Sequence, residues 1–159
     1  CTSICIIHAS AKNAGIYKDV DVPQYFCLVG NEGHRLEEVF EDLGNFPGQS
    51  VLPPFPRKMG TYIPDEIRDN TFELSEIGFT NKYIDSHTAL ALETARVLQA
   101  QNTYLAGYDG YPNNLITNRE QALLKENEHN FEKFKKHNTI KSILPTQYDI
   151  EVQSVYTLI

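Results

Sequence analysis

The stretch that most restricts the fold is Ser86–Ala100, Ser-His-Thr-Ala-Leu-Ala-Leu-Glu-Thr-Ala-Arg-Val-Leu-Gln-Ala. It reads as a helix, rich in alanine and leucine. Apolar side chains fill Ala89, Leu90, Ala91, Leu92, Ala95, Val97 and Leu98, and only Glu93 and Arg96, three apart, mark a polar stripe. A helix this apolar needs a sheet to cover it. Directly after it, Thr103–Ala106 reads as a strand that stops at Gly107-Tyr108-Asp109-Gly110.

The rest of the chain repeats that alternation. Ser3–His8 is a short β-branched apolar run, followed by a small-residue stretch from Ala9 to Gly15. Tyr25–Val29 is a second run, broken at Gly30-Asn31-Glu32-Gly33, with a helix expected from about His34 to Leu43 and closed by Gly44. Such runs fit strands buried on both faces. Val51-Leu52 and Thr71–Leu74 are short strand candidates. Between residues 47 and 64 lie five prolines, Pro47, Pro53, Pro54, Pro56 and Pro64, which predict loop and extended chain. Thr117-Asn118-Arg119-Glu120 fits a capping box, opening a helix to about Lys136 with Leu124, Phe131 and Phe134 on its apolar stripe. Ile140–Leu144 and Val152–Tyr156 are the last strand candidates. Strands alternating with helices predict one three-layer, Rossmann-like α/β domain over residues 1–159, with a mainly parallel sheet and the proline-rich loop covering one end.

Composition narrows the function classes. Hydrophobic residues make up 41% of the 159 and charged residues 22%, ordinary globular usage. No run approaches about 18 consecutive apolar residues, so no membrane-spanning helix is expected. Fourteen Lys and Arg against 21 Asp and Glu give a net charge of −7, which disfavours nucleic acid as a partner. Cys1, Cys5 and Cys27 are odd in number and make a poor disulfide framework; Cys5 and Cys27 sit in apolar runs and read as small buried hydrophobes. A reducing cytoplasm follows as the expected location, and no metal site is expected. The start at Cys1 fits a C-terminal piece of a longer protein.

Ligands of parallel sheets bind beyond the carboxyl ends of the strands, so the candidate residues lie there. Gly30, Asn31 and Gly33 follow a strand and precede a helix, where backbone N–H groups can approach a phosphate; a tight turn is the plainer alternative. Ser86, His87 and Thr88 open the apolar helix: Ser86 or Asp85 serves as its N-cap, or the free N–H groups and hydroxyls form an anion site with His87 as general acid. Asp109 is placed to accept from ribose hydroxyls or simply to make an Asp-Gly turn. Ser10 and Asn13 are placed as ligand donors after the first strand, and Arg57-Lys58 as a phosphate clamp or a solvated pair. His129 and His137 are expected to face solvent. No phosphate-loop, zinc-protease, C-x-x-C or nucleophile-elbow motif occurs.

Two resemblances rest on these residues. Asp85-Ser86-His87-Thr88-Ala-Leu-Ala-Leu, followed by Asn102-Thr-Tyr-Leu-Ala-Gly107-Tyr-Asp109, resembles a pattern in Rossmann-like domains of bacterial sialyltransferases and pterin diphosphokinase-like proteins. It departs from that pattern at Ala89, where those families usually carry glycine. The whole chain resembles the C-terminal module of 4-hydroxy-2-oxovalerate aldolase-like proteins of bacteria. The residues behind this are Ile7-His8-Ala9-Ser10-Ala-Lys-Asn13, Tyr25-Phe-Cys-Leu-Val-Gly30-Asn-Glu-Gly33-His-Arg-Leu and Ile143-Leu-Pro145-Thr146-Gln-Tyr148. In such proteins the aldolase chemistry belongs to an N-terminal metal-dependent barrel, whose Asp-Thr-x-Arg-Asp-Gly and His-x-His motifs do not occur in this sequence.

The second resemblance implies an accessory domain that binds a nucleotide or phosphorylated small molecule, or regulates the barrel, beside an N-terminal catalytic domain. The first implies a nucleotide-sugar-dependent transferase with His87 as acid or base. A structural, self-associating module is the third reading, giving a homo-oligomer.

Overall fold

A computed structural model describes residues 3–57, 60–112 and 116–159. Lys58 of the expected basic pair lies outside them. The chain divides into two compact units, residues 1–94 and 95–159.

The first unit is built on four parallel strands, β1 (Ile6–His8), β2 (Gln24–Cys27), β3 (Gln49–Leu52) and β4 (Thr71–Glu73), in the sequential order β1-β2-β3-β4. Ile6 pairs with Gln24, Tyr25 with Gln49 and Ser50 with Thr71. Alternation along the strands sends side chains to opposite faces. Phe26, Leu28 and Leu52 face one way, onto Ala14, Leu36, Leu43 and Ile67. Those four come from the three connections, which contain 3-10 turns at Ala14–Tyr17, Leu43–Asn45 and Asp65–Asn70 and helix α1 (Glu32–Val39). Residues from all three crossovers thus pack in one core against the same face of the sheet. Cys27, Val29 and Val51 face the other way, onto Ile77 and onto Ala89 and Leu90 of helix α2 (His87–Val97).

The second unit pairs β5 (Thr103–Leu105) with β6 (Ile140–Ser142), again parallel, through helix α3 (Asn118–Phe134). The capping box at α3 is present: Thr117 Oγ1 accepts from the Glu120 N–H at 3.2 Å, and the Thr117 N–H donates back to Glu120 Oε2 at 3.4 Å. Phe131 and Phe134 are buried, and Leu124 is half-buried. The fold is therefore α/β with parallel sheets, as the alternation predicts.

Several details differ from the sequence reading. Glu93 is buried, not part of a solvated stripe; in a helix with apolar residues all round, only the tertiary partner decides which side is outward. Cys5 is exposed, because strand pairing begins only at Ile6. Helix α1 starts two residues before His34 and stops at Val39, where Phe40 turns extended with φ −112° and ψ 114°. The Val152–Tyr156 strand is reduced to one bridge, Ser142 to Val152, followed by a 3-10 turn at Val155–Thr157. His129 is half-buried while His137 is exposed. No helix among the described residues is long and apolar enough to cross a membrane.

Candidate functional site

The carboxyl ends of β1 and β2 bring Ser10, Glu32, Arg35 and His87 together. Glu32 opens α1, a position where a carboxylate is favoured by the helix dipole. Its side chain points back under the loop after β1. Oε2 accepts the Ala11 N–H at 2.9 Å, and Oε1 accepts from Arg35 Nη1 at 2.5 Å. His87 Nε2, from the first turn of α2, lies 3.5 Å from the same Oε1 and is buried without a hydrogen-bond partner. Arg35 Nη1 also donates to Ser10 Oγ at 3.1 Å. Helices from opposite faces of the sheet thus meet at one carboxylate.

Glu32 is 5% exposed. Burial pushes its carboxyl up, but the His87 imidazole, the Ala11 N–H and the Arg35 guanidinium outweigh that and hold it below the usual carboxylate range. In front of it, the Arg35 and His87 side chains remain 44% and 43% exposed. The carboxylate sits behind; the groups offered to solvent are a guanidinium, a hydroxyl and the part of the imidazole away from its buried Nε2. Such a set suits an anionic, acceptor-rich ligand.

The other candidates take local roles. Ser86 is the N-cap of α2, with Oγ accepting the Ala89 N–H at 2.9 Å, and Thr88 is buried beside it. Asn13 and Asn31 are exposed at N-cap positions without side-chain cap bonds. Gly30 takes φ +58°. Gly33 lies beneath the proline-rich strap: an added Cβ would meet the Tyr62 carbonyl oxygen, and the Tyr62 N–H donates to the Gly30 carbonyl at 3.4 Å. The glycine turn therefore accommodates this crossing. The Tyr62 ring stacks on His34 at 3.8 Å, and its hydroxyl donates to Glu37 at 2.7 Å. Arg57 pairs with Glu73 and lies over the Phe55 ring. His8 is buried, stacked on Phe26 and hydrogen-bonded to Gln24 at 2.9 Å. Burial pushes its pKa down, against the opposing effect of the Gln24 bond. The Cys27 thiol is pushed up to about 12, chiefly by burial, and does not serve as a nucleophile at neutral pH.

Glu32 and Arg35 were not singled out from the sequence. Their spacing, i and i+3 on a helix, is that of an ordinary surface ion pair. What distinguishes them is the Ala11 N–H, 21 residues away in the chain.

Asp109 belongs to the second unit. It lies in the loop after β5, where Gly107 and Gly110 take φ +79° and +87°, and it lines an open cleft of about 300 Å³ with Tyr108, Tyr111, Asn127 and Tyr148. Among the described residues, no group of three or more His, Cys, Asp or Glu could hold a metal ion. Comparison with family models, curated proteins and solved structures gave no match.

Proposed function

We propose that this chain is an accessory, ligand-binding module of a 4-hydroxy-2-oxovalerate aldolase-like lyase, working beside an N-terminal catalytic domain. The ligand is a nucleotide or phosphorylated small molecule, received at the carboxyl ends of β1 and β2 by Arg35, Ser10 and His87. The observation that carries the binding part is the buried Glu32 carboxylate, which holds Arg35 and His87 from separate helices and leaves both half-exposed, while Arg35 in turn holds the Ser10 hydroxyl. The family resemblance supplies the parent activity, and the parallel α/β architecture accords with it.

A thermal-shift panel of CMP, CDP, UDP, ATP, NAD, CoA and pyruvate tests the binding part. A ligand at about 100 times its Kd adds roughly 2.7 kcal/mol, which raises Tm by several degrees at roughly 2–4 °C per kcal/mol. One phosphorylated ligand is expected to do so, and Arg35→Ala, checked as folded by circular dichroism, is expected to remove the shift. No shift with any ligand, or an undiminished one in Arg35→Ala, contradicts the reading. The parental part is tested on the complete gene product: a barrel carrying Asp-Thr-x-Arg-Asp-Gly and His-x-His upstream supports it, and a parent without one overturns it.

The approach of His87 Nε2 to Glu32 favours a second reading, a nucleotide-sugar-dependent transferase in which His87 moves the proton. If this chain turns over a nucleotide sugar, His87→Ala should slow it at least 100-fold. Unchanged turnover removes His87 from the mechanism.

A further inference from the structure

The cleft of the second unit plays no part in the reading above, and its chemistry is different. Among its described lining residues there is no Lys, Arg or His. The Asp109 carboxylate has no hydrogen-bond or ion-pair partner among the described residues, although its main chain is fixed: the Gln147 N–H donates to the Asp109 carbonyl at 2.9 Å. Thr146 Oγ1 donates to the Tyr108 carbonyl at 2.5 Å, so the loops after β5 and β6 are tied on both sides of the carboxylate. Tyr108 and Tyr148 each pack edge-on against Phe131, at 5.2 and 5.1 Å, which fixes two walls. Asn127 Nδ2 donates to the Tyr148 hydroxyl oxygen at 3.1 Å, leaving the phenolic proton to be given elsewhere.

The cleft thus counts among its lining residues a carboxylate that only accepts and a phenol with a proton to donate. A phosphate would satisfy the phenol but face the carboxylate with no cation to offset it. An ammonium group would satisfy the carboxylate but has no lone pair for the phenol. A hydroxyl both donates and accepts, and two adjacent hydroxyls match the two oxygens of one carboxylate. We propose that this cleft is a binding site for a vicinal diol, the hydroxyl pair of a sugar ring or of a nucleoside ribose, with Asp109 accepting both hydroxyls and Tyr148 donating to one of their oxygens. Burial raises the Tyr148 pKa, opposed by the Asn127 bond and reinforced by Tyr111 and Glu128, so the phenol keeps its proton at neutral pH.

The test is a two-dimensional amide NMR titration of the whole chain with uridine, adenosine, methyl α-mannopyranoside and 2′,3′-dideoxyuridine, with choline and inorganic phosphate as charged controls. The expected result is that at least one diol shifts the amides of Tyr108, Asp109 and Tyr148. Shifts with a nucleoside alone identify a ribose, and shifts with the glycoside alone a free sugar. Asp109→Ala is expected to weaken that binding at least tenfold, Asp109→Asn less because one acceptor oxygen remains, and Tyr148→Phe severalfold. Asp109 is exposed, so its variants should keep the wild-type spectrum elsewhere. No response to any diol overturns the proposal. So do equal binding of the dideoxy compound, unchanged affinity in Asp109→Ala, or shifts with choline or phosphate in place of the diols. The unit 1 site is read from other amides, those of Ser10 and His87, so failure of one proposal is distinguishable from failure of the other.

Discussion

At the scale of single residues, Glu32 matters most. A buried carboxylate is costly unless its charge is met, and here a main-chain N–H, a guanidinium and an imidazole meet it. Glu32→Ala leaves the Ala11 N–H without its acceptor and Arg35 without its counter-charge, and should cost about 2–3 kcal/mol in urea denaturation. A change within experimental error would show that the carboxylate is not structural. Gly33→Ala should cost about 1–3 kcal/mol, because the new Cβ runs into the Tyr62 carbonyl; a neutral result would mean that the strap gives way freely. Cys27, buried and with its thiol held protonated, should resist iodoacetamide in the native protein while exposed Cys5 is alkylated, as peptide mass mapping would show.

At the scale of elements, local chemistry was readable and partner choice was not. The capping box needs only Thr117 and Glu120, three residues apart, so its sequence announces it and the structure contains it. Thr117→Ala should cost about 1 kcal/mol of stability by thermal or urea melting, and an unchanged midpoint would deny the cap its role. The strands were legible as β-branched or aromatic runs bounded by Gly, Pro and Asn: β1, β4, β5 and β6 fall inside the expected segments, while β2 starts one residue before Tyr25 and β3 two residues before Val51. Glu93 was not legible: α2 is apolar on most sides, and whether a position is covered depends on elements far away in the chain. The site followed the same rule. Ser10 and His87 stand out in the sequence because strand ends and helix starts are generic ligand positions, whereas Glu32 and Arg35 are distinguished only by the pairing of β1 with β2, which places the Ala11 N–H over the carboxylate.

At the scale of the whole molecule, two buried titratable groups, His8 and Glu32, contribute to the response to acid. His8 has its folded value below the ordinary 6.5, since burial disfavours its charged form. Above 6.5 it is neutral folded and unfolded; as the pH falls through 6.5 the unfolded chain takes up the proton first, and stability drops. Glu32 has its folded value below the ordinary 4.5, so its contribution is fully present above 4.5 and is lost as the pH falls through its lowered folded value. Urea midpoints measured from about pH 8 to about pH 3.5 should therefore decline in two stages, with the first abolished in His8→Asn. A midpoint flat across the first stage would contradict the buried neutral state of His8.

The ligand site proposed for unit 1 lies where Glu32 holds Arg35 and His87, and Arg35 holds Ser10. Its most direct test is a two-dimensional amide NMR titration with whichever phosphorylated compound gives the largest thermal shift. Saturable shifts concentrated at Ser10, Ala11, Glu32, Arg35 and His87 are expected. Saturable binding that leaves those five amides unmoved would contradict that placement.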